Sequence, residues 1–180
     1  MKAMTNDRQI KGGDLYTRQL KQQVLNAPVI ICDGLQTPNN FGSILRVADA
    51  IGSQGIILLD SQIDLKNKKI SKIARSTDSR VSVEQFSIQE FNNIRSRFKN
   101  LYALEITSQS SNAFESEISH CDAVILGHES WGIREEVLSL CDGTFHLPMY
   151  GINGSMNISH ALAVFLYEWR RQEKQALLNK

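Results

Sequence analysis

Three short blocks of unbroken apolar residues limit what this chain can fold into: Pro28 to Asp33 (PVIICD), Gly55 to Asp60 (GIILLD) and Asp122 to Gly127 (DAVILG). Each is short, rich in β-branched residues and bounded by Gly, Pro or Asp, the pattern of a strand buried on both faces. Val81 to Phe86 alternates like a strand, and Leu101 to Ile106 and Thr144 to Leu147 read as strands too. Between them fall helical stretches: Ser43 to Ile51, Lys66 to Ala74, Ile88 to Phe98 and Ile133 to Leu140. A last helix runs from Ser155, with Ile158, Ala161, Leu162, Phe165, Leu166 and Trp169 at helical spacing and no Gly or Pro out to Lys180. Strands alternating with helices predict an α/β fold: an open, mostly parallel sheet covered by helices on both faces.

The 180 residues suit one such domain, with no internal repeat and no linker. Cys32, Cys121 and Cys141 are odd in number and have no CxxC spacing, so they read as buried thiols of a reducing compartment. His120, His128, His146 and His160 have no metal-ligand spacing, so no metal site is expected. Met1 to Asn26 carries five basic and two acidic residues and no apolar block, so it is neither a signal peptide nor a membrane span. We therefore expect a cytoplasmic protein with no membrane contact, divided into a basic N-terminal extension (1–27) and a main domain (28–180), with a short amphipathic helix over Asp14 to Asn26.

A net charge of +1 is modest for bulk attraction to nucleic acid, but the cations are clustered in Lys2 to Lys21, in Lys66 to Arg80 and in Arg95 to Lys99. Either these are solvated faces of surface helices or they converge on a backbone-binding surface. No GxGxxG follows the first strand and no P-loop is present, which disfavours a dinucleotide or nucleoside triphosphate enzyme.

Open parallel sheets bind ligands beyond the carboxyl ends of their strands. Three loops rich in Gly, Asn and polar side chains leave strands in that direction: Gly34 to Gly42, Gly127 to Gly132 and Pro148 to Asn157. The first brings Asn40 and, farther along the helix, Arg46, whose long side chain can reach back toward the loop. The second brings Glu129 between two glycines. In the third, Ser155 is positioned to cap the last helix, with Asn157 beside it.

In order and spacing, NNFGSILR, LGHESWGI and LPMYGINGSMNISHA resemble the three motifs of the SpoU (TrmH-like) RNA ribose methyltransferases of the SPOUT class, over Pro28 to about Trp169. The resemblance implies S-adenosylmethionine as cofactor and a ribose 2′-hydroxyl of tRNA or rRNA as acceptor. It also implies a C-terminal deep trefoil knot, which topology rules alone would not predict, and a homodimer with its active site completed across the interface. Carried onto this chain, the catalytic positions are Arg46, Asn40, Glu129, Ser155 and Asn157. The cofactor positions are Gly127, Leu147 and Met156. Two departures stand out: Ser130-Trp131 where the family often has Gly after its Glu, and Met156 where it often has Leu.

Each residue also has a plainer reading. Asn40 orients the ribose or Arg46, or it caps a loop. Glu129 pairs with Arg46 or holds an RNA-side network, or it is a carboxylate at a helix N-terminus. Ser155 and Asn157 hold ligand, cap a helix, or do both. His128, next to Glu129, approaches the substrate or is a core histidine. A non-catalytic RNA-binding or assembly protein on the same fold, and a base rather than ribose methyltransferase, stay open at this level. The short stretch before the first strand leaves recognition to the domain surface, the basic segment and a partner subunit, which favours tRNA slightly.

Overall fold

The apolar blocks become the middle of the sheet. In the computed structural model, which describes residues 27–75 and 77–178, seven strands are ordered β3-β2-β1-β6-β4-β7-β5 and every neighbouring pair is parallel. They are β1 (Val29–Asp33), β2 (Ile56–Leu59), β3 (Val83–Phe86), β4 (Leu101–Leu104), β5 (Ser111–Asn112), β6 (Ala123–Leu126) and β7 (Gly143–His146). The expected helix over Asp14 to Asn26, and with it all of the basic extension but Ala27, lie outside the described residues.

Alternate residues of the central strands feed two separate cores, as the twofold period of a strand requires. Ile30, Cys32, Ile56, Leu58, Val124 and Leu126 pack on one face with α1 (Pro38–Ile51), α2 (Lys68–Ala74) and α5 (Ile158–Leu178). Ile31, Ile57, Leu59, Ala123 and Ile125 pack on the other with α3 (Ile88–Ile94) and α4 (Glu135–Leu138). This is the two-sided parallel α/β sheet read from the sequence. Cys32 and Cys121 are buried free thiols and Cys141 is partly buried; burial pushes the Cys141 thiol up to about 12.

Several boundaries differ from the sequence reading, each for a local reason. Helix α1 starts at Pro38, not Ser43, because proline at the first helical position costs no hydrogen bond. Its Gly42 lies against α2, where a β-carbon would run into the Ile73 side chain. Helix α4 is shorter than the expected Ile133 to Leu140: the backbone is still extended at Arg134 (ψ 145°), where the Ile133 N–H is held by Glu105 and the Arg134 N–H by Asp33. The expected helix Ile88 to Phe98 tightens after Ile94 into a 3₁₀ turn, Arg95–Arg97. Helix α5 starts at Ile158, and its cap is Asn157, not Ser155: Asn157 Oδ1 accepts from the Ser159 N–H at 2.9 Å. The two-residue strand β5 has no counterpart in the sequence reading.

Candidate active site

A cavity of about 490 Å³ opens beyond the carboxyl ends of β4, β6 and β7. The loop leaving β6 forms one wall. It is closed on itself by paired backbone hydrogen bonds between His128 and Gly132, 2.9 and 3.0 Å long. Any side chain at Gly127 would run into the backbone of Gly132 and Ile133, so this turn needs a glycine there. Residues 148–157, with no regular structure, form the opposite wall before α5 begins.

Seven of the eight expected site residues line this cavity: Asn40, Glu129, Ser155 and Asn157, together with Gly127, Leu147 and Met156. Three are joined directly. Helix α1 has no side-chain cap of its own. Glu129 instead reaches its N-terminus from the β6 loop, Oε1 accepting from the Thr37 N–H at 3.2 Å and from Asn40 Nδ2 at 3.0 Å. Asn40 Oδ1 in turn accepts from Asn157 Nδ2 at 2.9 Å. Asn157 Oδ1 receives the Ser159 hydroxyl at 2.7 Å as well as its N–H. Both polar ends of Asn40 are thus spoken for, and the N-termini of two long helices are locked together at the cavity.

The Glu129 carboxyl is pulled two ways. Partial burial raises its pKa, but hydrogen bonds from its own N–H, from Thr37 and from Asn40 outweigh that and hold it below the usual carboxylate value. It is therefore a carboxylate at neutral pH, aligned with the positive end of α1. The helix-terminus reading of Glu129 is realised on α1, however, and not on the helix that follows it in sequence.

Arg46 is the exception. It lies four residues beyond Gly42, whose face is turned to α2, and it is exposed and outside the cavity. The expected reach back to its own loop is not seen, nor is a pair with Glu129; among the described residues Arg46 has no hydrogen-bond or ion-pair partner.

The sequence reading missed Glu105, one residue past β4. Its carboxylate lines the cavity and accepts from the Ile106 N–H at 2.9 Å and the Ile133 N–H at 3.0 Å, tying β4 to the β6 loop. A charge directly after an apolar strand block was the available signal. His146, also in the wall, meets the Ser110 hydroxyl through Nδ1 at 2.9 Å. His128 is buried, its Nδ1 accepting the Ser130 N–H at 2.9 Å, while Nε2 is buried with no hydrogen-bond partner, 3.8 Å from Glu129 Oε2. Among the described residues no cluster of His, Cys, Asp or Glu is arranged to hold a metal ion.

The lining combines apolar side chains, Leu104, Leu126, Leu147, Met149, Met156 and Ile158, with a few polar groups, among them Asn40, Glu105, Glu129 and Asn157. That composition and volume suit a small molecule with a flat apolar part and a polar end, and S-adenosylmethionine is such a molecule.

The model of the SpoU rRNA Methylase family matches residues 27–167. The tRNA (guanosine(18)-2′-O)-methyltransferase of Aquifex aeolicus is 26% identical over 150 residues, 82% of this chain and 70% of that protein. The Thermus thermophilus enzyme of the same name is 28% identical over 149 residues, 82% of this chain and 76% of that one. The SpoU methyltransferase AviRb from Streptomyces viridochromogenes, solved in complex with the cofactor AdoMet, shares the fold at a TM-score of 0.75 and 24% identity, over 83% of this chain and 62% of that one. With the three strand-end loops gathered at one cavity and the family match running through all of them, the chain belongs to the SpoU rRNA Methylase family.

Proposed function

We propose that this chain transfers the methyl group of S-adenosylmethionine to a ribose 2′-hydroxyl of tRNA. The observation that carries the reading is the hydrogen-bonded chain Glu129–Asn40–Asn157 set at the mouth of a ligand-sized cavity. The tRNA assignment is supported by the two relatives named as tRNA 2′-O-methyltransferases.

When bound, S-adenosylmethionine supplies an electrophilic methyl group on a sulfonium. Gly127, Leu147 and Met156 hold it against the strand ends, largely through backbone atoms. Asn40, Glu129, Ser155 and Asn157 set the geometry in which the hydroxyl approaches, and position supplies much of the rate. Arg46 offers a planar guanidinium with a fork of N–H donors and no acceptor. Its work is to grip a phosphate beside the target ribose with both arms of the guanidinium and align the hydroxyl, whose proton leaves to a phosphate oxygen.

Because Arg46 lies outside the cavity of its own chain, that grip is supplied to the site of a second copy. The active unit in this reading is a homodimer, and Val164 and Tyr167, exposed on α5, are apolar surface available to it. The same reading includes the trefoil knot through residues 148–157 and α5, a cytoplasmic location, and a role for residues 1–27 in holding RNA. No helix among the described residues is long and apolar enough to cross a membrane.

The test is methyl transfer from labelled S-adenosylmethionine to bulk tRNA and, separately, to rRNA, followed by digestion to nucleosides and mass identification. A 2′-O-methylnucleoside from tRNA is expected. A methylated base discards the ribose mechanism, and a ribose product from rRNA alone discards the tRNA assignment.

A further inference from the structure

Trp131 is 62% exposed at the rim of the active-site cavity. It is not a loose side chain. Its ring lies within 6° of parallel on the imidazole of His128, with centroids 3.2 Å apart. That imidazole is held from beneath: it is 9% exposed, and its Nδ1 takes the Ser130 N–H at 2.9 Å, which leaves the ring proton of the neutral form on Nε2. The turn carrying both residues is closed by the His128–Gly132 backbone pair, and Gly132, at φ +75°, has Glu105 so close that any β-carbon there would strike its carboxylate. One face of the indole is therefore covered by a rigid support and the other is turned outward beside the cavity.

A flat aromatic surface, pre-set and half solvated, suits another flat aromatic group, since offset stacking is its favoured contact. In RNA recognition the commonest such group is a base splayed from a single-stranded region and laid on an aromatic side chain. We propose that Trp131, supported by His128, is the stacking platform for a nucleobase of the RNA acceptor at or next to the methylated nucleotide. This rests on the RNA-methylating reading above and assigns to that site a positioning residue for its substrate. The buried apolar lining of the cavity, Leu126 and Leu147, is left to the cofactor, whereas Trp131 stands exposed to an incoming second ligand.

The chain has two tryptophans, and Trp169 is only 3% exposed, so fluorescence quenching by a stacked base reports on Trp131. The experiment titrates the cofactor-loaded protein, its Trp131→Phe and its Trp131→Ala variants with tRNA and with short single-stranded oligoribonucleotides, and measures KM and kcat for methyl transfer in parallel. We expect quenching of the unaltered protein by both RNAs and none in Trp131→Phe. Base stacking on an aromatic corresponds to a KM for tRNA raised roughly 5- to 150-fold in Trp131→Ala; Trp131→Phe should recover most of that, with cofactor affinity unchanged in both. An unchanged KM in Trp131→Ala overturns the platform while leaving the methyltransferase reading standing. Quenching by S-adenosylmethionine alone, with weakened cofactor affinity in Trp131→Ala, also overturns it, because the ring then serves the cofactor. Quenching by oligoribonucleotides supports the platform even if no methyl is transferred, so the two readings fail separately.

Discussion

Asn40→Asp replaces one nitrogen by oxygen at the centre of the site and turns a donor facing a carboxylate into a second carboxylate. In the native chain Asn40 Nδ2 donates to Glu129 Oε1 at 3.0 Å, and the Glu129 side chain is 19% exposed. Two unit charges at that separation repel by about 5.5 kcal/mol at an effective dielectric constant of 20, and by about 1.4 kcal/mol if water screens them fully. The pair has a way out, which is to keep one proton. Holding a carboxyl of ordinary pKa protonated at pH 7 costs roughly 4 kcal/mol, at 1.36 kcal/mol per unit over about three units, and this caps the penalty. The variant should therefore lose about 1.4–4 kcal/mol at pH 7, a fall in Tm of roughly 3–15 °C for a domain of this size.

The pH dependence distinguishes this cause from simple loss of a hydrogen bond. In the native chain Glu129 is held below its ordinary value, so its contribution is full above the unfolded pKa and is lost as pH falls through the folded one. In the variant the two carboxyls titrate as a coupled pair with one step raised, so its stability relative to the parent improves as pH falls. Thermal unfolding of both proteins at pH 7.5, 6 and 4.5 should show the difference in Tm narrowing steadily. A gap that is absent at pH 7.5, or constant across the range, refutes the Asn40–Glu129 contact as the source of the effect.

Arg46→Ala should abolish most transfer while leaving Tm within a degree or two, because the side chain is exposed and without a partner in its own chain; near-full activity in Arg46→Lys would sink the bidentate phosphate role. Arg134 binds Asp33 through Nε at 2.8 Å, and the Arg134 N–H donates to the same carboxylate at 2.9 Å, while Asp33 is 1% exposed. Arg134→Ala therefore strands a buried charge and should cost about 3 kcal/mol, measured by urea unfolding; adding Asp33→Asn should recover most of it, and no recovery would show that packing was lost instead. Removing Met1 to Asn26 should weaken tRNA binding and flatten its dependence on salt while leaving cofactor affinity unchanged; equal loss of both would discard the RNA-binding role of that segment.

What the sequence could and could not show follows from the range of the forces involved. The central strands were legible because burial on both faces needs apolar residues at consecutive positions, and β1, β2 and β6 are those blocks. Boundaries were less legible wherever a distant group claims a backbone N–H. Helix α4 begins two residues later than expected, at an extended Arg134 whose N–H and that of Ile133 are held by Asp33 and Glu105, 101 and 28 residues away in the chain. No window around Ile133 contains either residue. The site residues were named by motif and their convergence was inferred from strand direction, yet the reason they converge is a contact across 89 residues, Asn40 to Glu129, and another across 117, Asn40 to Asn157.

Arg46 shows the limit most clearly. Helical spacing allowed it to reach its own loop, but spacing along a helix says nothing of which face is turned inward. Arg46, one turn past Gly42, shares the face of α1 that meets α2, and it is exposed and outside the cavity. A guanidinium matched to the catalytic motif yet outside its own chain's site is what a shared active site requires. Mixing an Arg46→Ala chain with an Asn40→Asp chain should then restore one competent site per mixed dimer, while neither variant alone is active; if mixtures stay inactive although subunits exchange, each chain completes its own site and Arg46 must move to reach it.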